Sequence, residues 1–303
     1  MKKMTVRLAA AALAAAALLG SLPVYADSRS AFVSLGEDLT EEQLSKVLGY
    51  LDLTEQDLED SVVITVSNED EHRYLDSYLS AEQIGSRALS SCRVTGQKEG
   101  HGISVTTHNI TYVTEAMYEN ALATAGMKNA DVVVAGPSPI SGTAALVGAM
   151  QAYAAMNGEE ISPELIDGAM DELVTSGKLA ESTGDADKTA KLIALVKQVI
   201  AEKDLKSRED IEEAIDEIAL KLEISLSDED RQMIRDLMDK LAGLDLNAKD
   251  LSEQAKKIYE EMRKDGLDLS QFGISDADAQ GLFSRFSGLI REFLRWLQGI
   301  LNR

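Results

Sequence analysis

The residues best suited to binding lie together at Gly136-Pro137-Ser138-Pro139-Ile140-Ser141-Gly142-Thr143. The preceding run, Asp131 to Gly136, is apolar enough for a strand buried on both faces. Pro137-Ser138-Pro139 then reads as a rigid loop, and Ser141 as the cap of an alanine-rich helix that reaches about Asn157. A helix N-terminus presents free backbone N–H groups and the positive end of the macrodipole, so it attracts anions. Ser138, Ser141 and Thr143 add hydroxyls to such a turn. It is not a P-loop, because no lysine follows the glycine and the spacing differs. A capped helix after an ordinary connecting loop accounts for the same residues.

Other chemistry is harder to place. The histidines are His72, His101 and His108. A zinc site needs about three or more converging ligands, whereas His101 and His108, an odd number of residues apart, face opposite sides of one straight strand. Neither a metal nor a cofactor is expected. His108-Asn109, beside Thr106 and Thr107, can form a polar cluster at a strand end, or His108 can be a satisfied structural histidine. Neither a Gly-x-Ser-x-Gly elbow nor a His-Glu-x-x-His pair occurs. The many carboxylates lie mostly on predicted helix faces near Lys or Arg, so no catalytic residue is assigned. Asp276-Ala277-Asp278 opens like a calcium loop, but its twelfth position is Ser287 where glutamate is required.

The elements that position these groups change character near residue 160. Before it, strands alternate with helices. Ala31 to Leu35 and Val62 to Val66 read as strands. Thr40 and Gln43 form a capping box ahead of Leu44, Val47, Leu48 and Leu51 at helical spacing. Asn68 caps a helix through Leu75. Arg87 to Thr95 and Ile103 to Ile110 read as the arms of a hairpin turned at Gly96 to Gly102. Thr114 begins a helix that stops at Gly126. After residue 160, helices are expected at 164–176, 186–203, 208–223, 228–243, 248–265 and 276–302, with breaks that include Gly177 and Gly184. The expected fold is α+β, a mixed sheet flanked by helices, over residues 27–160, followed by a helical bundle over 161–303.

Residues 1–26 read as a cleavable secretory leader. Lys2, Lys3 and Arg7 precede an apolar run from Leu8 to Leu19, and Val24-Tyr25-Ala26 supplies the small-residue site. The run is shorter than the roughly 20 residues of a membrane span. The expected location is therefore secreted or extracytoplasmic, at the cell envelope. Cleavage after Ala26 takes three basic residues from a chain of net charge −22, leaving 277 residues near −25. Such acidity repels nucleic acid and anionic membranes. Cys92 is the only cysteine, so no internal disulfide forms, and its strand setting favours a buried, inert thiol.

The last predicted helix departs from the rest. Phe283, Phe286, Phe293 and Trp296 share a broad apolar face, and Arg285, Arg291, Arg295 and Arg303 make it locally basic. It can lie on a membrane or dock on a partner, or it can serve as the central helix of the bundle.

Several stretches resemble a known family. Val33 to Gln43 (VSLGEDLTEEQ), Tyr78 to Ser91 (YLSAEQIGSRALSS), Ser104 to Thr111 (SVTTHNIT) and Pro139 to Leu146 (PISGTAAL) look like the YpuA-like family of exported proteins of unknown function from Gram-positive bacteria. The likeness covers roughly residues 31 to 180 well and the helical remainder loosely. It implies export and no assigned activity. It places Arg87, His108, Asn109 and the Ser141-Gly142-Thr143 turn within the family's recognisable stretches without giving them roles.

The combined reading is an extracytoplasmic, non-enzymatic protein that binds an envelope protein or a small ligand. The competing reading is an anion- or ligand-binding enzyme that uses the 136–143 turn with Arg87 and His108-Asn109. Membrane contact is expected only through the 276–303 segment. If that segment meets lipid, deleting it should abolish co-sedimentation with vesicles; unchanged co-sedimentation rules the membrane role out.

Overall fold

The computed structural model describes residues 31–203, 205, 207–244 and 246–264. The expected leader and the expected 276–302 helix lie outside them. The first half begins β1 (Phe32–Gly36), α1 (Glu41–Tyr50), α2 (Glu55–Glu59), β2 (Val62–Val66), α3 (Asn68–Leu75) and α4 (Ala81–Ile84). It continues with β3 (Ser91–Gly96), β4 (Ile103–Ile110), α5 (Glu115–Thr124), β5 (Ala130–Ile140) and α6 (Thr143–Asn157). The helical half follows as α7 (Pro163–Thr183), α8 (Ala186–Lys203), α9 (Arg208–Lys221), α10 (Asp228–Ala242) and α11 (Ala248–Lys264).

The strands form one mixed sheet in the order β2-β1-β3-β5-β4. β1 runs parallel to β2 and β4 parallel to β5, while β3 is antiparallel to both β1 and β5. The expected β3–β4 hairpin is therefore not formed. β5 inserts between its arms, pairing Val94 with Val132 and Val105 with Val132 from its two sides. The physical reason is burial. β5 carries Val132, Val133, Val134 and Ala135, apolar towards both faces, and belongs inside a sheet covered on both sides.

Helices cover each face. Val33 and Ala135 pack with Val47 and Leu51 of α1. On the opposite face Phe32, Cys92, Val94, Val132 and Val134 meet α5, α6 and the first half of α7. α6 is buried almost all round from Thr143 to Met150, as expected of a helix without a polar face. It lies so close to β1 that a Cβ on Gly148 would overlap the Ser34 side chain. Cys92 is buried and free, and desolvation pushes its thiol up to about 12.

α7 runs unbroken through Gly177, where a helix stop was expected. The glycine is there because the Tyr112 ring lies against it and leaves no space for a Cβ. α7 also links two cores. Ala169, Met170, Leu173 and Val174 join the sheet-side core, whereas Leu179 joins the core of α8 to α11 with Ile193, Ile215, Ile234 and Leu237. A buried ion pair sits at this junction. Lys197 Nζ of α8 bonds Glu172 Oε1 of α7 at 2.6 Å, Thr124 Oγ1 at 2.9 Å and the Asn120 carbonyl at 3.0 Å, so its three protons meet three acceptors. Leaving either charge unpartnered there would cost about 3–5 kcal/mol.

Gly148→Ala should lower stability by about 3 kcal/mol through overpacking. A Cβ at Gly49 of α1 would meet nothing within 4 Å, so Gly49→Ala should stabilise by up to about 1 kcal/mol. Urea midpoints of the two variants read both signs.

Candidate functional site

A cleft of about 290 Å³ opens where the chain between α3 and β3 meets the start of α6. Its walls include Glu71, Gln83, Ser86, Arg87, Ser90 and Ser141. Each wall has a local cause. Ser67 and Asp70 form the capping box that starts α3 and so sets Glu71 one turn in. Gly85 ends α4 at φ 90°, a conformation that favours glycine, and Ser86 to Ser90 follow in neither helix nor strand. That segment is tied to the end of β1: Ala88 N–H donates to Asp38 Oδ2 at 2.8 Å, Asp38 N–H to the Ala88 carbonyl at 3.1 Å, and Gly36 N–H to Ser91 Oγ at 3.1 Å.

The third wall corrects two expectations. Pro137-Ser138-Pro139 is not a loop, because β5 continues to Ile140. Its carbonyls take up bonds from outside: Lys46 Nζ donates to Pro137 O at 2.5 Å, and Thr111 N–H to Ile140 O at 2.9 Å. Nor does Ser141 cap α6. The cap position is Gly142, at φ 98°, with no side chain to offer. The capping groups come from elsewhere in the chain. Ser90 Oγ accepts from Ala145 N–H at 2.9 Å, the bond an N-cap side chain ordinarily makes. Thr143 Oγ1 donates to Glu71 Oε1 at 2.7 Å, which puts a carboxylate at the positive end of α6. Ser141 Oγ lies 3.2 Å from Thr143 Oγ1, and Tyr118 OH donates to Gly142 O at 2.5 Å.

The sequence candidates therefore separate into two groups. Arg87 and Ser141 line the cleft, and Thr143 is one hydrogen bond from its wall residue Glu71. Gly142 supplies the bare cap beside it. Ser138, His108 and Asn109 do not line it. The His108 ring stacks on Tyr50 of α1, with centroids 5.1 Å apart. Asn109, at φ 58° in the bulge that ends β4, donates from Nδ2 to Gly136 O at 3.0 Å. Ser138 is exposed. Glu71 and Ser90 were not singled out from the sequence. Their signal lies in the register between distant segments, which spacing along the chain does not carry.

Arg87 is exposed and makes no ion pair or side-chain hydrogen bond among the described residues. Glu71 is 2% exposed, and burial holds its carboxyl above the ordinary carboxylate range against hydrogen bonds from Thr143 and Asn68. A larger cavity of about 560 Å³ lies between α3, α6 and α7, lined by Tyr74, Val147, Met150, Ile166 and Met170 among others. Tyr78 at its rim accepts from Lys240 Nζ at 2.7 Å and donates to Asp167, so its hydroxyl is fully engaged. Among the described residues no group of three His, Cys, Asp or Glu could hold a metal ion, and no helix is long and apolar enough to cross a membrane. His72 and His101 pair with Asp76 and Asp131 at 2.6 and 2.7 Å.

Sheet, cleft and helical half together define an α+β protein with a helical second half. The chain belongs to the family described as "Protein of unknown function (DUF1002)", which matches residues 35–258, from the end of β1 into α11, and so takes in the cleft and most of the sheet and helices. It is 38% identical over 257 residues to the uncharacterized protein YpuA of Bacillus subtilis (strain 168), covering 83% of this chain and 87% of that one. No solved structure matches the chain significantly.

Because the folded state holds the Glu71 proton above its ordinary value of 4.5, this group's contribution to stability falls as pH rises from 4.5 through the raised folded value. Glu71→Gln should flatten that part of the pH–stability profile in urea unfolding. An unchanged slope would show that another group sets it.

Proposed function

We propose that this is an exported, non-enzymatic protein that binds a ligand or partner at the cell envelope, and that the Arg87 cleft takes an anionic group of that ligand. One observation carries the reading: an exposed guanidinium without an ion pair among the described residues stands in the same cleft as the hydroxyls of Ser86, Ser90 and Ser141. A guanidinium presents its N–H groups as a planar fork matched to a carboxylate or a phosphate. The nearby serines suit hydroxyl or amide groups adjoining that anion.

The anion is assigned to Arg87 and not to the helix N-terminus. The α6 amide of Ala145 is already bonded to Ser90, and Glu71 already answers the helix's positive end. The same reasoning disfavours the enzyme reading that joined the 136–143 turn to His108 and Asn109, since both are committed to Tyr50 and Gly136. Export is supported by the basic, apolar and small-residue regions in residues 1–26.

The test is a thermal-shift screen of residues 27–303 against inorganic phosphate, nucleotides, wall sugars and divalent ions. A ligand present at 100 times its Kd stabilises the fold by about 2.7 kcal/mol, an easily read shift. The shift should vanish in Arg87→Ala, a substitution at an exposed side chain that leaves the fold intact. A shift that survives Arg87→Ala places the ligand elsewhere, and no shift across the panel contradicts a small anionic ligand.

A further inference from the structure

The two edges of the sheet are finished in opposite ways. On β4 the outward-facing N–H groups of Ile103, Val105 and Thr107 are each bonded by a side chain. Ile103 N–H donates to Gln254 Oε1 at 3.4 Å, Val105 N–H to Glu119 Oε1 at 3.1 Å, and Thr107 N–H to Glu115 Oε1 at 2.8 Å. Lys257 Nζ donates to the Ile103 carbonyl. That edge is closed by α5 and α11.

β2 has no such cover among the described residues. Val62 N–H donates to Ala31 O, and Val66 O accepts from Glu37 N–H, so Val62, Ile64 and Val66 direct their backbone groups at β1. The N–H and C=O groups of Val63 and Thr65 therefore point away from the sheet, and no bond takes them up among the described residues. Val62 and Val63 are 41% and 40% exposed, two of the three large apolar side chains so exposed among the described residues. Natural edges are commonly blunted by lysine, proline, a bulge or a covering element. β2 has no lysine, proline or bulge, and its partner β1 is matched to it without a break from Phe32 to Gly36.

The surroundings specify what fits. Glu55, Asp57, Glu59 and Asp60 precede β2, Glu69 and Asp70 follow it, and no Lys or Arg occurs between residues 48 and 71. Arg73 reaches back to Asp70 at 3.6 Å, but Glu55, Glu59, Asp60 and Glu69 carry no ion pair among the described residues. A second copy of this chain would bring the same carboxylates against them. We propose that the β2 edge binds a partner protein by strand addition, and that the added strand is apolar in its middle with lysine or arginine at its ends. Main-chain bonds to Val63 and Thr65 supply the pairing, as in other cases where a peptide extends a sheet. The valines supply apolar contact, and the acids select the basic flanks. This inference is independent of the Arg87 cleft.

The probe is a capped synthetic peptide of alternating valine and threonine with a lysine pair at each end, added to the chain of residues 27–303. Residue-resolved hydrogen exchange should show the Val63 and Thr65 amides slowed about tenfold or more at saturation, with β4 amides unchanged. The same peptide with glutamate pairs should give no slowing. Thr65→Pro removes one outward donor at a position where an edge strand tolerates proline, and it should abolish binding while the melting temperature stays close to that of the parent. Unslowed Val63 and Thr65 amides, equal binding of the glutamate peptide, or peptide-free dimers protected at these amides would each overturn the proposal.

Discussion

The start of α6 constrains everything around it. A helix buried from its first residue cannot leave its opening N–H groups to water, and here the cap residue is glycine. Glycine is required because Tyr118 OH and the Ile110 side chain leave no space for a Cβ and because the backbone sits at φ 98°. Ser90, fifty-five residues earlier in the chain, takes the Ala145 N–H, and Glu71 takes the Thr143 hydroxyl. The chain from α3 to β3 must therefore cross the top of the sheet. It does so from Gly85 to Ser90, a stretch in no helix or strand, and the space left between that stretch and α6 is the cleft.

The same constraint explains how polar groups survive in so apolar a setting. Glu71 keeps two side-chain donors and a place at the helix's positive end, yet burial still favours its protonated form. Lys197 and Glu172 meet the same difficulty at the join between sheet and helical half, and answer it with a saturated set of bonds. Arg87 differs from both. It is exposed and committed to no partner among the described residues.

Much of this was legible in the residues. The capping box at Thr40 and Gln43 and the start at Thr114 are local events that the chain records directly, and α8, α9 and α10 lie close to the ranges their 3.6-residue periods give, whereas α7 runs on past its expected stop and the short α2 and α4 were not anticipated. What depends on distant segments was not legible. The hairpin expected from Gly96 to Gly102 fails because the partner of β3 is a more apolar strand further along. Gly177 reads as a stop only until Tyr112 is seen against it. Pro137 and Pro139 read as a loop although an N–H is not needed where the strand's carbonyls are bonded from α1 and from Thr111. Ser141 reads as a cap because a serine before an alanine run ordinarily is one, and only the fold reveals that Ser90 performs that task. Of the expected site, Arg87 and Ser141 meet at one cleft, while His108 stacks on Tyr50 and Asn109 bonds the Gly136 carbonyl of β5.

The most direct measurement of this account is amide exchange at Ala145 in Ser90→Ala. The Ser90–Ala145 hydrogen bond, worth about 1 kcal/mol, ties the cleft wall to the backbone at the helix start. Its removal should speed exchange at Ala145 about fivefold while the amides further along α6 keep their protection. If Ala145 exchanges as slowly without the Ser90 hydroxyl as with it, α6 is capped by other means and the cleft is not built around its N-terminus.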